Sequence, residues 1–375
     1  MKTKTFFIII TPIICFSLFY GILIGTYEFF PYNQLSQIKQ IVTDENISKT
    51  TSTISSLDKI GQVPIQINNE SDIFQKQNLL INYIWKNELP KDLPLQVEKN
   101  FNDKNFYEFE NIKRLEKISI EMEHDVQSIV YHMISDKPNN KLILYHHGHS
   151  GDFLFEKKTI NYFLEKGYSI LAFNMPLKGM NNQPVVDIDN LGKIKLTSHR
   201  HFTLLESDDF SPLKYFLHPI TISLNYIDQN YDYSSYHMIG ISGGGWTTIL
   251  YSAIDERISQ SFSVAGSYPI YLRLESKDIG DYEQIHPQLY QIANYLELYV
   301  MGSFGENRKL VQIFNKYDPC CFTGELSKQY EALVKTKISE LDGEFDIHID
   351  DSHKEHKIST KSLQIIHNSI EEYQN

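Results

Sequence analysis

Residues 240–244 read Gly-Ile-Ser-Gly-Gly, and this stretch decides the fold because it matches the pattern G-x-S-x-G. A short apolar run at 236–239 precedes it, as a buried strand would, and residues 245–251 carry apolar side chains at helical spacing. A serine on such a strand–turn–helix junction needs small residues two positions before and after it, because strand and helix pack closely there. Gly240 and Gly244 meet that need, so Ser242 is predicted to be a nucleophile on a sharp turn. The alternative is an ordinary glycine-rich turn.

A serine nucleophile needs a histidine base and a carboxylate that orients the histidine. In one known order of such triads, the acid and the histidine come after the serine, each behind a further strand. The apolar stretch 309–314 is one such strand, and Asp318 follows it closely. Asp318 is therefore the predicted acid; its alternative role is that of a turn aspartate before proline.

Two histidines are candidates for the base. Residues 344–350 alternate polar and apolar side chains, which predicts a last strand, and His353 and His356 follow it. His356 is preferred because it stands at the junction with a terminal helix that Ser359 can cap. His353 is the alternative.

A glycine-containing loop is predicted to supply the oxyanion hole. The apolar strand 142–145 leads into residues 146–152, His-His-Gly-His-Ser-Gly-Asp. Acyl transfer needs backbone N–H groups that point at the developing negative oxygen. We expect one from Gly243, directly after the serine, and one from Gly148 or His149 in this loop.

The same loop contains residue types that bind metals. Consecutive histidines at the end of a strand do not converge easily on one ion, however, and no thiolate is close in sequence. The sequence therefore predicts neither a metal nor another cofactor.

With these residues in this order, the chain resembles the α/β-hydrolase superfamily over about residues 120–375. The stretch 167–176 is also similar to the fourth strand and following loop of that family. The resemblance implies an α/β fold with a mostly parallel central sheet flanked by helices. About forty residues separate the sixth strand, at 261–266, from the next, and such an insertion commonly forms a cap over the active site in this family. We expect that cap at 267–308, its tyrosines more suited to filling a core than to stacking on a sugar.

The resemblance also implies the chemistry. Ser242 would attack an ester carbonyl, His356 would act as base and then acid, and Asp318 would orient His356. Within the superfamily the chain is most similar to carbohydrate acetyl esterases, so the expected partner is a small-molecule or glycan ester. A serine peptidase of the same fold and a catalytically inactive binding module are the alternatives.

Composition excludes other classes of function. The 375-residue chain is 41% hydrophobic, carries a formal net charge of −12 and has no lysine- or arginine-rich run, which argues against binding to nucleic acid. It has only three cysteines, and a bridge between the adjacent Cys320 and Cys321 would be strained. We therefore expect no framework of disulfides. His199 and His201 lie in a polar stretch and are expected in a solvated loop; the alternative is a contact with the substrate, because this stretch precedes the helix that leads to Ser242.

The N-terminus carries an apolar stretch at 6–25, preceded by Lys2 and Lys4. It is long enough to cross a bilayer and lacks a signal-peptidase site, so a membrane anchor is preferred over a cleaved signal. The positive charges keep the short end cytoplasmic, which predicts a single-pass protein with an extracytoplasmic catalytic domain. The predicted organisation is an anchor or uncleaved signal at 1–30, a polar stalk at 31–70, a helical extension at 71–118 and the catalytic domain at 119–375.

Overall fold

The computed structural model describes residues 63–273 and 279–372, together with Tyr20. From Val63 onward the chain forms one compact unit. The predicted anchor at 6–25 lies outside the described residues apart from Tyr20, and so does most of the predicted stalk. Within the described part of the chain, no helix combines the length and the apolar character needed to cross a bilayer.

Eleven strands are present in the described residues, and nine of them form one sheet in the order β1-β2-β3-β5-β4-β8-β9-β10-β11, while β6 and β7 form a separate hairpin. Their bounds are β1 Gln96–Lys99, β2 Ile112–Glu121, β3 Gln127–Ser135, β4 Lys141–His146, β5 Ser169–Phe173, β6 Val185–Ile188, β7 Gly192–Lys195, β8 Ser235–Ile241, β9 Ile258–Val264, β10 Lys309–Asn315 and β11 Glu344–Asp350.

The sheet is antiparallel from β1 through β2 and β3 to β5 and parallel from β5 through β4, β8, β9 and β10 to β11. The predicted mostly parallel sheet is therefore present. Parallel strands with helices on both faces are buried on both sides and read as continuous apolar runs. β4 shows this, since all six of its residues are buried. β1 was not predicted; it lies within the stretch 71–118 that was expected to be helical.

Helices cover both faces of the sheet. Their bounds are α1 Glu70–Trp85, α2 Lys157–Glu165, α3 Lys214–Asn230, α4 Gly243–Ile254, α5 Tyr282–Ile285, α6 Pro287–Ile292, α7 Tyr295–Ser303, α8 Glu331–Ser339 and α9 Thr360–Glu372. Alternate residues of a strand point to opposite faces. Accordingly, Leu142 and Leu144 of β4 join the core under α1, α3, α4, α7 and α8, whereas Ile143 and Tyr145 join the core under α2 and α9.

The strand register brings the candidate loops to one edge of the sheet. His146, the last residue of β4, is paired with Gly240 of β8, so the glycine-containing loop and the serine turn begin side by side. Asn315 at the end of β10 is paired with Asp350 at the end of β11. The loops that carry Asp318 and His356 therefore also begin together, because the carboxyl ends of parallel strands meet at the same edge.

The segment predicted as a cap, at 267–308, contains a 3₁₀ turn at Ile270–Arg273 and the helices α5, α6 and α7. α7 packs against α4 as an ordinary crossover helix. Tyr268, Tyr282, Tyr295 and Tyr299 are all buried, so these tyrosines fill the core.

Candidate active site

Ser242 lies on a sharp turn between β8 and α4, with φ 55° and ψ −125°. A residue with a Cβ rarely adopts this conformation. The turn is closed by two glycines: a Cβ on Gly240 would lie 2.0 Å from the carbonyl oxygen of Gly244, and a Cβ on Gly244 would lie 2.1 Å from that of His146. No larger side chain fits either position, which is the physical reason for the G-x-S-x-G pattern.

Asp318 and His356 form a close pair across two loops. The Nδ1 atom of His356 donates to Asp318 Oδ2 over 2.7 Å, and the Asp318 side chain is fully buried. The Nδ2 of Asn315 donates to the carbonyl oxygens of Glu355 and Lys357, the residues on either side of His356, over 3.3 and 3.0 Å. Asn315 therefore holds the histidine loop against the end of β10, a role that no pattern in the sequence indicated.

His353 lies elsewhere in the same loop. Its Nδ1 accepts a hydrogen bond from the backbone N–H of Glu355, and its Nε2 is 3.6 Å from Asp350 Oδ2. The structure thus brings His356 against Asp318 and places His353 beside Asp350.

In the described part of the chain, no hydrogen bond joins His356, the predicted base, to Ser242. Among the described residues, Nε2 of His356 is buried and has no hydrogen-bond partner, so Ser242 does not donate to it here. His147 is a neighbour of His356. Burial lowers the pKa of His147 to about 4, and the charges of His356 and His149 contribute to this shift. Hydrogen bonds of this kind are commonly long without substrate and tighten when substrate binds.

Gly148 is in direct contact with the nucleophile. A Cβ on Gly148 would lie 2.8 Å from Ser242 Cβ and 2.9 Å from the carbonyl oxygen of Ile241. Gly243 is the first residue of α4, where the backbone N–H has no partner within the helix. Both predicted oxyanion positions thus lie beside Ser242. The ring of His149 lies over Gly243, since a Cβ there would be 2.3 Å from His149 Cε1 and 2.5 Å from Nδ1.

A second group of polar side chains adjoins this loop, and we call it the His149 cluster: His149, His199, Asp281 and Glu283. His149 Nε2 lies 2.8 Å from Glu283 Oε1 and 3.3 Å from Asp281 Oδ2, and His199 Nδ1 lies 3.2 Å from Glu283 Oε2. Burial alone would raise the pKa of Glu283, but the charge of His199 and the hydrogen bonds from both histidines hold it far below its usual range.

The expectation of a solvated loop around His199 is wrong. The residue begins a 3₁₀ helix, His199–Leu204, and is only 1% exposed. Its ring stacks on Phe202 and meets the edge of Phe216. Sequence reasoning missed it because the residues that bury it come from separate elements.

The structure joins the adjacent Cys320 and Cys321 by a disulfide. Because this bridge links neighbouring residues, it does not join separate segments of the chain. The backbone N–H of Cys320 donates to Asp318 Oδ1 over 2.8 Å, which leaves Oδ2 for His356.

Comparison with known proteins gives matches in structure alone. No protein-family model and no curated protein matches the chain. An acetyl xylan esterase from a Paenibacillus species superimposes with a TM-score of 0.56 at 13% identity, over 83% of this chain and 97% of that one. Acetyl xylan esterase 1 from a Thermoanaerobacterium species gives 0.55 at 12% identity, over 81% and 94%. With the strand order above, these matches show that the chain shares the α/β fold of these two esterases.

Proposed function

We propose that this protein is a serine hydrolase that cleaves a carboxylic ester through an acyl-enzyme. The observation that carries the proposal is the pairing of Asp318 with His356 at the sheet edge where Ser242 sits on its strained turn. Acyl transfer requires a nucleophile, a base and an acid that orients the base. Here three separate loops at one edge of the sheet supply these residues.

Each side chain has a distinct role in the proposed reaction. Asp318 accepts the Nδ1 proton of His356, so the lone pair of the neutral imidazole lies on Nε2, which has no other partner among the described residues. When substrate binds, Nε2 takes the proton of the Ser242 hydroxyl as Oγ attacks the carbonyl carbon. The same proton then goes to the leaving alcohol, and a water molecule repeats the sequence to release the acid.

The negative oxygen that develops needs donors on the opposite side of the carbonyl from the base. The N–H of Gly243 at the start of α4 and an N–H of the Gly148–His149 loop are the donors we propose. Because Gly148 contacts Ser242, we propose that this loop is close enough to donate to the oxyanion. A side chain at position 148 would push the loop away from Ser242.

The substrate class is proposed from the neighbours and from the surroundings of the site. The two solved structures reported above are named as acetyl xylan esterases. An acetyl ester on a carbohydrate is therefore the first substrate to test here. We propose that the segment between β9 and β10 contacts the substrate, because its Glu283 contacts His149 of the loop beside Ser242.

Covalent labelling tests the function most directly. A fluorophosphonate probe should label the full chain at Ser242, and labelling should disappear in Ser242→Ala together with hydrolysis of p-nitrophenyl acetate and acetylated xylo-oligosaccharides. Loss of a triad serine lowers turnover by about 10⁶-fold. Labelling at another serine, or hydrolysis that survives the substitution, would refute the mechanism. Labelling without hydrolysis of any acetyl ester would refute only the substrate class.

We also propose that residues 6–25 anchor the protein in a membrane with its catalytic domain outside the cytoplasm. Twenty mostly apolar residues gain more free energy in hydrocarbon than surface contacts can supply, and Lys2 and Lys4 favour a cytoplasmic N-terminus. The full-length protein should then remain in the membrane fraction after washing at alkaline pH. Release by this wash, or a mature chain that begins near residue 26, would contradict the anchor.

A further inference from the structure

We propose that the His149 cluster is a binding site for a divalent transition-metal ion of the zinc type, adjacent to the nucleophile. The sequence predicted no metal from the histidines of residues 146–152 alone. The fold changes that expectation, because it brings one of these histidines together with three side chains from distant segments. His149 follows β4, His199 begins a 3₁₀ helix, and Asp281 and Glu283 belong to the start of α5.

The spacing of the ligand atoms fits a single ion. One nitrogen or oxygen from each residue lies within 4.8 Å of every other. The individual separations of 2.8, 3.2 and 3.3 Å lie at or below the distance between ligands of a tetrahedral zinc, which is roughly 3.3 Å for bonds of about 2.0–2.1 Å, so an ion needs only the His149–Glu283 contact to widen by about 0.5 Å. Two imidazoles and two carboxylates are also the ligand types that zinc accepts.

The orientation of His199 is that of a metal ligand. Its Nε2 lies 2.9 Å from the carbonyl oxygen of Pro176, which can only accept, so Nε2 carries the proton. In the neutral ring the lone pair is then on Nδ1, and it points at the carboxylate of Glu283. Because it faces a carboxylate, Nδ1 either bears a second proton, which makes the ring an imidazolium that donates to Glu283, or binds a cation that lies between the two groups. Histidines that bind metals commonly donate their other N–H to a backbone carbonyl in this way.

Charge and access also agree with an ion. Two carboxylates balance the charge of a divalent cation, and the second oxygen of Asp281 faces Arg200 at 3.9 Å, which leaves Oδ2 for the metal. Glu283 and His199 are fully buried, whereas the side chains of His149 and Asp281 are 24% and 31% exposed. The site thus has a rigid inner half and an open side through which an ion can enter.

An ion here would join the segment after β9 to the loop that contacts Ser242. The ring of His149 lies over Gly243, so its position affects the space beside the proposed oxyanion donors. We therefore expect metal removal to lower the stability of the protein and to loosen the loop at 146–152. The competing arrangement is a cluster without metal in which both imidazoles are protonated and pair with the carboxylates.

Metal binding to the full chain separates these two arrangements. The purified protein is stripped with a chelator and titrated with Zn²⁺ against a competing chromophoric chelator, and in parallel with Co²⁺ while its visible d–d absorption is recorded. We expect one ion per chain and the intense Co²⁺ bands of a four-coordinate site. Glu283→Gln should weaken Zn²⁺ binding by more than about 100-fold, since loss of even an outer-shell partner costs about 10–100-fold. His201→Gln, in the same 3₁₀ helix but outside the cluster, should bind like the wild type.

Absence of binding, or binding that neither Glu283→Gln nor Asp281→Asn weakens, would overturn the proposal in favour of the protonated pair. Asp281 is partly exposed, so its substitution keeps the test valid if the buried Glu283 variant does not fold. Fluorophosphonate labelling of Ser242 in the metal-free protein is measured separately, because the metal site and the hydrolase function can fail independently.

Discussion

The backbone conformation of Ser242 predicts that a residue with a Cβ at this position lowers the free energy of unfolding relative to glycine. With φ 55° and ψ −125°, the residue occupies a region that glycine enters freely and residues with a Cβ do not. Ser242→Ala keeps the Cβ and hence the strain, whereas Ser242→Gly removes it. The two variants lose the same hydroxyl, so their difference in stability reports the backbone together with the loss of one Cβ.

The magnitude follows from two opposing terms. A residue held in such a region costs about 1–3 kcal/mol. Glycine gives back part of that gain, about 0.5–1 kcal/mol, because its unfolded chain has more conformational freedom. Ser242→Gly should therefore be more stable than Ser242→Ala by about 1 kcal/mol. For a folded unit of this size that difference raises Tm by about 1–3 °C.

Urea unfolding followed by circular dichroism measures the difference, with ester hydrolysis recorded on the same samples. Both variants should be inactive. Thr336, which is exposed in the interior of α8, is the matched control, because glycine there should be less stable than alanine by about 1 kcal/mol. If Ser242→Gly is no more stable than Ser242→Ala, the turn is unstrained and the reasoning is wrong.

Three further predictions concern the loops around the nucleophile. His356→Ala should lower ester hydrolysis by about 10⁴–10⁶-fold, whereas His353→Ala should stay within a few-fold; the reverse result in the same kinetic assay would move the base to His353. Gly148→Ala should lower kcat by about 10²–10³-fold with the fold retained, because its Cβ would press on Ser242. The control is Gly192→Ala, which should leave kcat unchanged because a Cβ there meets no atom within 4 Å. Burial alone would raise the pKa of Asp350, but hydrogen bonds from the serines that flank the histidine loop lower it to about 2. A lowered carboxylate pKa contributes stability above its unfolded value near 3.8, so about 2 kcal/mol should be lost as the pH falls from 4 to 2; urea unfolding of Asp350→Asn should lack this loss.

Much of the fold could be predicted from the sequence, because it depends on contacts between residues that are close along the chain. Gly240 and Gly244 are required by contacts within five residues of the serine, so the turn at Ser242 could be predicted from its own neighbours. The buried strands were visible as apolar runs because a parallel sheet hides both of its faces. Ser359 accepts from the N–H of Ser362 over 3.0 Å and caps α9, which a short pattern also predicted.

Contacts between distant segments needed the folded chain. The sequence favoured His356 over His353 only by its place before the terminal helix, and the folded chain adds the contact that distinguishes them, since His356 lies against Asp318 and His353 beside Asp350. β1 is short and mostly exposed, so it has no apolar pattern and exists because β2 offers it a free edge.

The His149 cluster is the clearest example of a site that depends on contacts between distant segments. More than 130 residues separate His149 from Glu283, and nothing near either residue in sequence indicates the other. The sequence determined the sheet and the turn that presents Ser242, because those depend on neighbours along the chain. The tertiary structure decided which side chains meet at its edge, since strand order and the path of the segment after β9 set those distances.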